Sequence, residues 1–568
     1  MHNKLPQTAQ EIMNWPWTKI EPYYQELEAR LLNAQSMDQW MQDWSDLSRL
    51  LYESEQRLMV ATTVDTSDSQ AEANYHIYLD QIYSPSQAAE QRLKNKLVGS
   101  GLEPKDFSVP LRNMRAEVEL FRRENLPLLS EQLKLATEYD KILGAQTVLW
   151  EGQEVTLQQL DQVLEDPERT RRERAWRLML ERWLADRSAI NELWVRFMNG
   201  RRQLAHNAEC PDFRAYRWKQ MLRFDYSPAD CETFHQAIET EVLPTAGRLI
   251  ERRRNRMGIA SVRPWDLLAD ANARPPLRPF QTVAELEEKT AKIFEQLDPQ
   301  LGEYYSVMRR EGYLDLDNRK NKAPGGYCTE YPVVRRPFIF TNAVGTQRDV
   351  ETLVHEGGHA FHVFETKQLP HFYQLEPPTE FAEVASMAME FLAAPYYDSP
   401  QSFYTPAEAA RARIDHLEQS LLFWPYMAVV DAFQHWVYTH LEAANDPQNC
   451  DAKWIELWER FMTFEDWSGL DDELATGWHR KGHIHQDPFY YIEYGLALLG
   501  AAQIWRNSLV DPLKAVADYR NALSLGGTRP LPQLYTTAGA RFAFDPGTLG
   551  AAVELMERTI SELETIAA

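Results

Sequence analysis

Cysteine is scarce in this chain: four residues in 568, Cys210, Cys231, Cys328 and Cys450, all far apart. Without CxxC spacing, neither a disulfide framework nor a zinc ribbon is expected. Glycine (24) and proline (32) are too few for a collagen-like or low-complexity protein. No uninterrupted apolar run approaches about 18 residues, and the start, MHNKLPQTAQEIMNWPW, lacks the apolar core of a signal peptide. A phosphate-binding glycine loop is missing, because GSG at 99–101 has no third glycine in register, and the serine-hydrolase signature G-x-S-x-G is absent too. Basic charge is also short. The net charge of −24 is too acidic to welcome nucleic acid or an anionic membrane surface. These absences leave a cytoplasmic enzyme or scaffold with no nucleic-acid or membrane partner, of unknown oligomeric state.

What is present is helix-forming sequence and aromatic bulk. The 17 Trp, 25 Tyr and 23 Phe can fill a large core and line clefts. The first ~190 residues read as successive helices, so residues 1–190 are taken as an N-terminal helical lobe and 191–568 as the catalytic region. Trp40, Trp44, Leu47 and Leu51 share one helical face, with Asp38, Gln42, Asp43, Asp46 and Ser48 as its wet side. TTVDTSDSQ (62–70) predicts a polar loop, and the stretch 165–187 a charged amphipathic helix. ADANARPPLRPFQT (269–282) is too rich in proline for a helix interior. KNKAPGGYC (320–328) signals a turn, and RRPFIFTNAVG (335–345) is the best strand, with Phe338, Ile339 and Phe340 suited to burial. Helix should dominate, with one small sheet.

Ten of the 14 histidines fall between 355 and 485. Among them, in TQRDVETLVHEGGHAFHVFE, His355 and His359 are four apart, so on a helix both imidazoles leave one face. Two neutral imidazoles at that spacing can hold one Zn²⁺ per chain, with Glu356 beside the metal's water. Thr346 and Asp349 form a capping-box start for that helix. Two surface histidines would be the bland alternative. Gly357 and Gly358 speak against it, because each costs about 1 kcal/mol relative to Ala in a helix, a loss that close approach by a neighbour would explain.

A third ligand is expected from another helix. In EPPTEFAEVASMAMEFLAAP (376–395), Phe381, Val384, Ala388 and Phe391 point inward, and Ala385 and Ala393 permit close helix approach. Glu383 is the carboxylate embedded in this apolar segment, and a metal ion would offset its burial. Glu390, seven residues on, suits support of a zinc-bound imidazole. Glu365, Glu376 and Glu380 read as solvated. A second pair, His479 and His483, is broken by Gly482 and Pro488, but His483, His485, Tyr490, Tyr491 and Tyr494 gather before an apolar helix. Donors there, opposite the metal, would stabilise an oxyanion. His362 reads as a packing or hydrogen-bonding residue.

HEGGHAFH (355–362), FAEVASMAME (381–390) and GHIHQDPFYYIEY (482–494), in that order and after GGYC (325–328), resemble the thimet oligopeptidase and oligoendopeptidase F family of zinc peptidases, the oligoendopeptidase F branch above all. The resemblance covers about 170 residues; the N-terminal half matches only in being helical. It implies a mostly α fold, two helical lobes around a deep substrate channel, with a small β-sheet next to the HExxH helix. It further implies His355, His359 and Glu383 as zinc ligands, Glu356 as general base and zinc-bound water as nucleophile. His483 with Tyr491 and Tyr494 become the transition-state donors, Tyr490 standing as substitute. Tyr490, His485 and Phe340 are expected to touch substrate, Phe340 through a strand edge that pairs with an extended peptide. The substrates implied are short peptides cut at internal bonds. The rivals are a helical zinc exopeptidase, of dipeptidyl carboxypeptidase or metallocarboxypeptidase type, and a non-catalytic peptide-binding scaffold.

Overall fold

Apolar residues at helical spacing build nearly every element of this chain, and short polar or proline-containing links separate them. A computed structural model describes residues 4–567; Met1–Asn3, part of the start read above, lie outside the described residues, as does Ala568. Helix Met37–Val64 buries Trp40, Trp44, Leu47 and Leu51 as its spacing predicts. Its wet face is narrower than expected. Asp43 is buried against Arg30, whose Nη1 donates to Asp43 Oδ2 at 2.6 Å, and buried Ser48 donates to the Trp44 carbonyl at 3.0 Å. The polar loop is also shorter than predicted, because helix continues to Val64 and restarts at Ser69, where the Asp68 side chain accepts from the Gln70 and Ala71 amides. Within 165–187 the charged helix forms at Arg169–Ala185.

Two sheets form, one more than predicted. Strands β1 (Thr147–Trp150) and β2 (Gln153–Thr156) make a small antiparallel hairpin. The other sheet comprises β3 (Leu314–Asp317), β4 (Tyr327–Tyr331) and β5 (Arg336–Ala343) in the order β3-β5-β4. Strand β5 runs parallel to β3, with Leu314 opposite Ile339, and antiparallel to β4, with Tyr327 opposite Phe340. The best strand of the sequence is therefore the central one, paired on both sides, and β4 is an edge.

Beyond β5 the chain turns through Gly345, at φ +100, a conformation that costs glycine nothing. The amides of Val344, Gly345 and Thr346 all donate to Asp349 Oδ2, at 2.9, 2.7 and 2.7 Å, and Thr346 completes the capping box of helix Gln347–Glu365. This histidine helix lies against helix Thr379–Ala393. The contact is close enough that a Cβ on Gly358 would stand 2.4 Å from the Ala385 carbonyl oxygen, and one on Gly357 2.6 Å from the Phe294 ring. The paired glycines exist for these approaches. Gly358→Ala must push two buried helices apart; it is expected to cost about 2–3 kcal/mol of unfolding free energy in a denaturant titration, whereas a surface Gly→Ala at Gly99, with nothing nearby, should not destabilise.

Helix Thr379–Ala393 is in turn packed on helix Tyr491–Ser508, where Phe391 stacks on Trp505 with centroids 5.1 Å apart. Both lie beside the 34-residue helix Pro406–Thr439. Buried apolar residues from Ile12 to Met114 form one core, and most of those from Leu120 to Ala567 another. A cavity of about 500 Å³ lies between the N-terminal helices and the later part of the chain, lined by Tyr24, Tyr52 and Tyr78 on one side and Arg223, Glu380 and Tyr490 on the other. The molecule is thus two helical lobes about a channel. Among the described residues, no helix is long and apolar enough to cross a membrane.

Candidate metal centre and active site

Four-residue spacing on the histidine helix sends His355 and His359 to one side, with ring centroids 5.1 Å apart. The facing helix brings Glu383 to them. Its Oε2 lies 3.4 Å from His355 Nε2 and 3.6 Å from His359 Nε2, and donor atoms of the three residues all fall within 4.8 Å of one another. Glu383 is 2 % exposed and sits opposite two imidazoles on a mostly apolar helix. A carboxylate and two imidazoles around one point are the donor set of a catalytic zinc site that keeps a position open.

The surroundings orient these donors. Glu390 Oε1 is 2.6 Å from His355 Nδ1, and its Oε2 is 2.7 Å from His416 Nε2, so the carboxylate fixes the His355 ring with Nε2 turned inward. His416 comes from helix Pro406–Thr439 and had no signal in the sequence beyond being a histidine. Burial works to raise the Glu383 carboxyl, but His359 and His355 overcome it and hold the carboxyl down at about 2. Burial likewise lowers His359, to about 4. Glu356, one residue beyond His355, is pushed up to about 7 by burial. Its Oε2 is buried with no hydrogen-bond partner, although the side chain lines the cavity. A buried orphan oxygen is costly unless something else fills the space, such as substrate, solvent or a metal's water.

His355, Glu356, His359 and Glu383 line a cavity of about 310 Å³ together with Tyr490, Tyr494 and the edge strand residues Tyr327, Cys328, Thr329 and Glu330. It adjoins the inter-lobe cavity through Tyr52, Glu376, Pro377 and Tyr490, which line both. Helix Met37–Val64 closes the far side of β4: Thr63 Oγ1 and Tyr327 Oη are 2.6 Å apart, and Thr329 donates to Gln56 Oε1 at 2.8 Å. Sequence reading gave the N-terminal lobe no part in the site. Tyr52 belongs to it.

The tyrosine loop divides. Tyr490 donates to Glu383 Oε1 at 2.5 Å, and Tyr494 Oη is 3.1 Å from His483 Nε2. Burial, with Lys481 nearby, lowers His483 to about 3, so its imidazole is neutral. Tyr491 is not among the residues that line the cavity, although its ring lies 5.3 Å from His483 and 5.4 Å from Tyr494. It is 5 % exposed and packs between Phe423 and Tyr426, at 5.6 and 5.8 Å, because it opens a helix on which only Tyr494 follows Tyr490 at the spacing that shares its face. His485 is fully buried between Tyr139 and Trp478, with centroids at 4.7 and 5.6 Å, so its side chain is core. Phe340 is fully buried too, stacked on Tyr327 at 4.7 Å within the central strand; the edge strand that lines the cavity is β4. Glu376 is exposed on the cavity wall and Glu365 pairs with Arg520 at 2.8 Å. Glu380 is buried, contrary to expectation, where it accepts from Tyr226 Oη at 2.6 Å. His362 is buried against Phe381.

Residues 162–552 match the family described as Peptidase family M3. Oligopeptidase PepF of Bacillus subtilis is 23% identical over 349 residues, which are 59% of this chain and 49% of that protein. The matched stretch is thus about half the length of that relative. An Oligoendopeptidase F homolog of Mycoplasma pneumoniae is 24% identical over 75% of this chain and 72% of its own length. Among solved structures, PZ peptidase A with an inhibitor superposes with a TM-score of 0.92 at 27% identity, covering 96% of this chain and 97% of that one.

Proposed function

The chain belongs to peptidase family M3, and from that premise we propose that it is a zinc-dependent endopeptidase that hydrolyses internal bonds of short peptides. The observation that carries the reading is the convergence of His355, His359 and Glu383 beside the unpartnered oxygen of Glu356, in a cavity walled by a strand edge. Two imidazoles and one carboxylate fit zinc, and Glu390 and Tyr490 steady the donors. Once held there, the ion supplies Lewis acidity: it polarises the scissile carbonyl and acidifies water.

The chain's own residues do the rest. An extended peptide lies along the outer edge of β4, where main-chain pairing accepts many sequences. Glu356 takes a proton from the attacking water as the new C–O bond forms, then gives it to the leaving amine as the C–N bond breaks. The Tyr494 hydroxyl, beside neutral His483, donates to the negative charge that develops on the carbonyl oxygen, while the Tyr490 hydroxyl stays on Glu383. Substrate size is limited by the channel between the lobes. A non-catalytic scaffold gives no reason for a buried orphan carboxylate beside a metal-ready triad.

Metal analysis and cleavage of a mixed peptide pool test the reading together. Zinc near one equivalent at the triad, with cleavage of peptides but not of the same sequences within folded proteins, is the expected result; peptides left intact by metal-loaded protein would overturn it. The tyrosines give a finer test. Tyr494→Phe keeps the ring and removes the donor, so kcat should fall on the order of 10²–10³ with KM changed far less. Tyr491→Phe should turn over like the parent, since Tyr491 does not line the cavity. The reverse pattern would return the donor role to Tyr491.

A further inference from the structure

A second cluster of metal-binding side chains lies apart from the triad. Cys231 and His235 are four apart on helix Pro228–Ala237, and Asp431 and His435 are four apart on helix Pro406–Thr439. Each pair therefore leaves one face of its helix, and the two faces meet. Donor atoms of Cys231, Asp431 and His435 lie within 4.8 Å of one another. Asp431 Oδ2 is 2.9 Å from His235 Nε2 and 3.3 Å from His435 Nε2. We propose that Cys231, Asp431 and His435 bind a second, structural Zn²⁺ that cross-links the two helices, with His235 holding Asp431 in place through its 2.9 Å hydrogen bond.

Hydrogen bonding alone leaves this cluster incomplete. All four side chains are more than nine-tenths buried: Cys231 and Asp431 are 0 % exposed, His235 4 % and His435 8 %. Yet Asp431 Oδ1 has no hydrogen-bond partner, and His435 Nε2 has only its 3.3 Å approach to Asp431 Oδ2, which is too poorly aligned for a hydrogen bond. A buried carboxylate oxygen left bare costs about 1–3 kcal/mol or more, and a cation between the helices satisfies it. The donor set also balances charge. One thiolate and one carboxylate neutralise a divalent ion, and the neutral imidazole of His435 adds a third donor, a mixed N/S/O set that suits zinc.

Binding takes the Cys231 thiol proton to solvent and needs the His435 ring proton on Nδ1, while His235 keeps its hydrogen bond to Asp431 Oδ2. Arg214 Nη1, on a half-exposed side chain, is 3.4 Å from His435 Nδ1, and Arg223 also lies close enough to act on Cys231. The site stands behind the tyrosine loop. The His435 ring packs on Phe489 at 5.2 Å, and Phe489, at φ +67, precedes Tyr490. Its amide donates to Gln434 Oε1 at 2.6 Å, on the same long helix. A metal here would hold that strained residue in place.

Cobalt distinguishes the two sites because only this one has a thiolate. The intact protein, stripped and reloaded with Co²⁺, should bind two ions per chain and show a near-ultraviolet sulfur-to-cobalt charge-transfer band. Cys231→Ala should lose the band and one ion; Glu383→Ala should lose the other ion and keep the band. Should Cys231→Ala not fold, the parent's spectrum and stoichiometry still decide. Absence of the band in the two-site parent, or a stoichiometry unchanged in both Cys231→Ala and His435→Ala, overturns the proposal. Loss of metal in Glu383→Ala alone would leave the catalytic centre standing without it.

Discussion

Glu356→Gln is expected to retain its zinc and to lose about 10³–10⁴-fold in kcat, with KM little changed. Gln is nearly the same shape, so the histidine helix and its glycine contacts are undisturbed. What disappears is a basic oxygen at the one point in the cavity where a buried carboxylate atom has no protein partner. Neither His355 nor His359 can replace it, because their Nε2 atoms face Glu383 and the ion's position. Tyr490 is held by Glu383, and Tyr494 by His483. Kinetics together with metal analysis on the same sample check this. Parallel loss of zinc and activity would make Glu356 a ligand or a structural group, and full activity would move the base elsewhere.

Glu383→Ala should have the largest effect on metal. Two imidazoles remain, and a buried negative charge that draws the ion in is gone, so zinc affinity is expected to fall at least 10²-fold and activity with it. Glu380→Ala is the control. Its carboxylate lies three residues earlier, against Tyr226 and Arg223, and faces away from the histidines. Removing it should reduce stability, by leaving Arg223 with one fewer buried partner, and leave zinc in place. Competition against a metal indicator reads the affinities, and a thermal melt reads the stability. Equal zinc retention by both variants would remove Glu383 from the ligand set.

The contrast between these two glutamates marks what a sequence displays and what it hides. His355, Glu356, His359 and Glu383 were legible because each is coded by spacing within one helix, and the glycines at 357 and 358 announced a close neighbour. Glu390 was legible for the same reason, as it recurs near the Glu383 face; its second partner, His416, comes from a helix the spacing could not place. Which of the three tyrosines lines the cavity was not legible, because facing depends on where a helix begins. The helix opens at Tyr491, so Tyr490 and Tyr494 share the cavity side and Tyr491 turns to Phe423.

Sheet order is non-local in the same sense. The apolar run at Phe338–Phe340 marks a buried strand, and burial is what a central strand has; the edge that faces the cavity belongs to β4, whose mixed sequence carried no such mark. Glu380 looked solvated because its partner, Arg223, lies far away in the chain. Cys231 and Asp431 were likewise silent, since two unremarked four-residue spacings become a cluster only when their helices meet.

Hydrolysis of a short peptide blocked at both ends, with products identified by mass spectrometry, tests the central claim most directly. The expected result is cleavage at internal bonds, abolished by a chelator, restored by zinc and absent from Glu356→Gln. A blocked peptide left whole while its free-ended counterpart is shortened from one terminus, or internal cleavage that persists through metal removal, would contradict it.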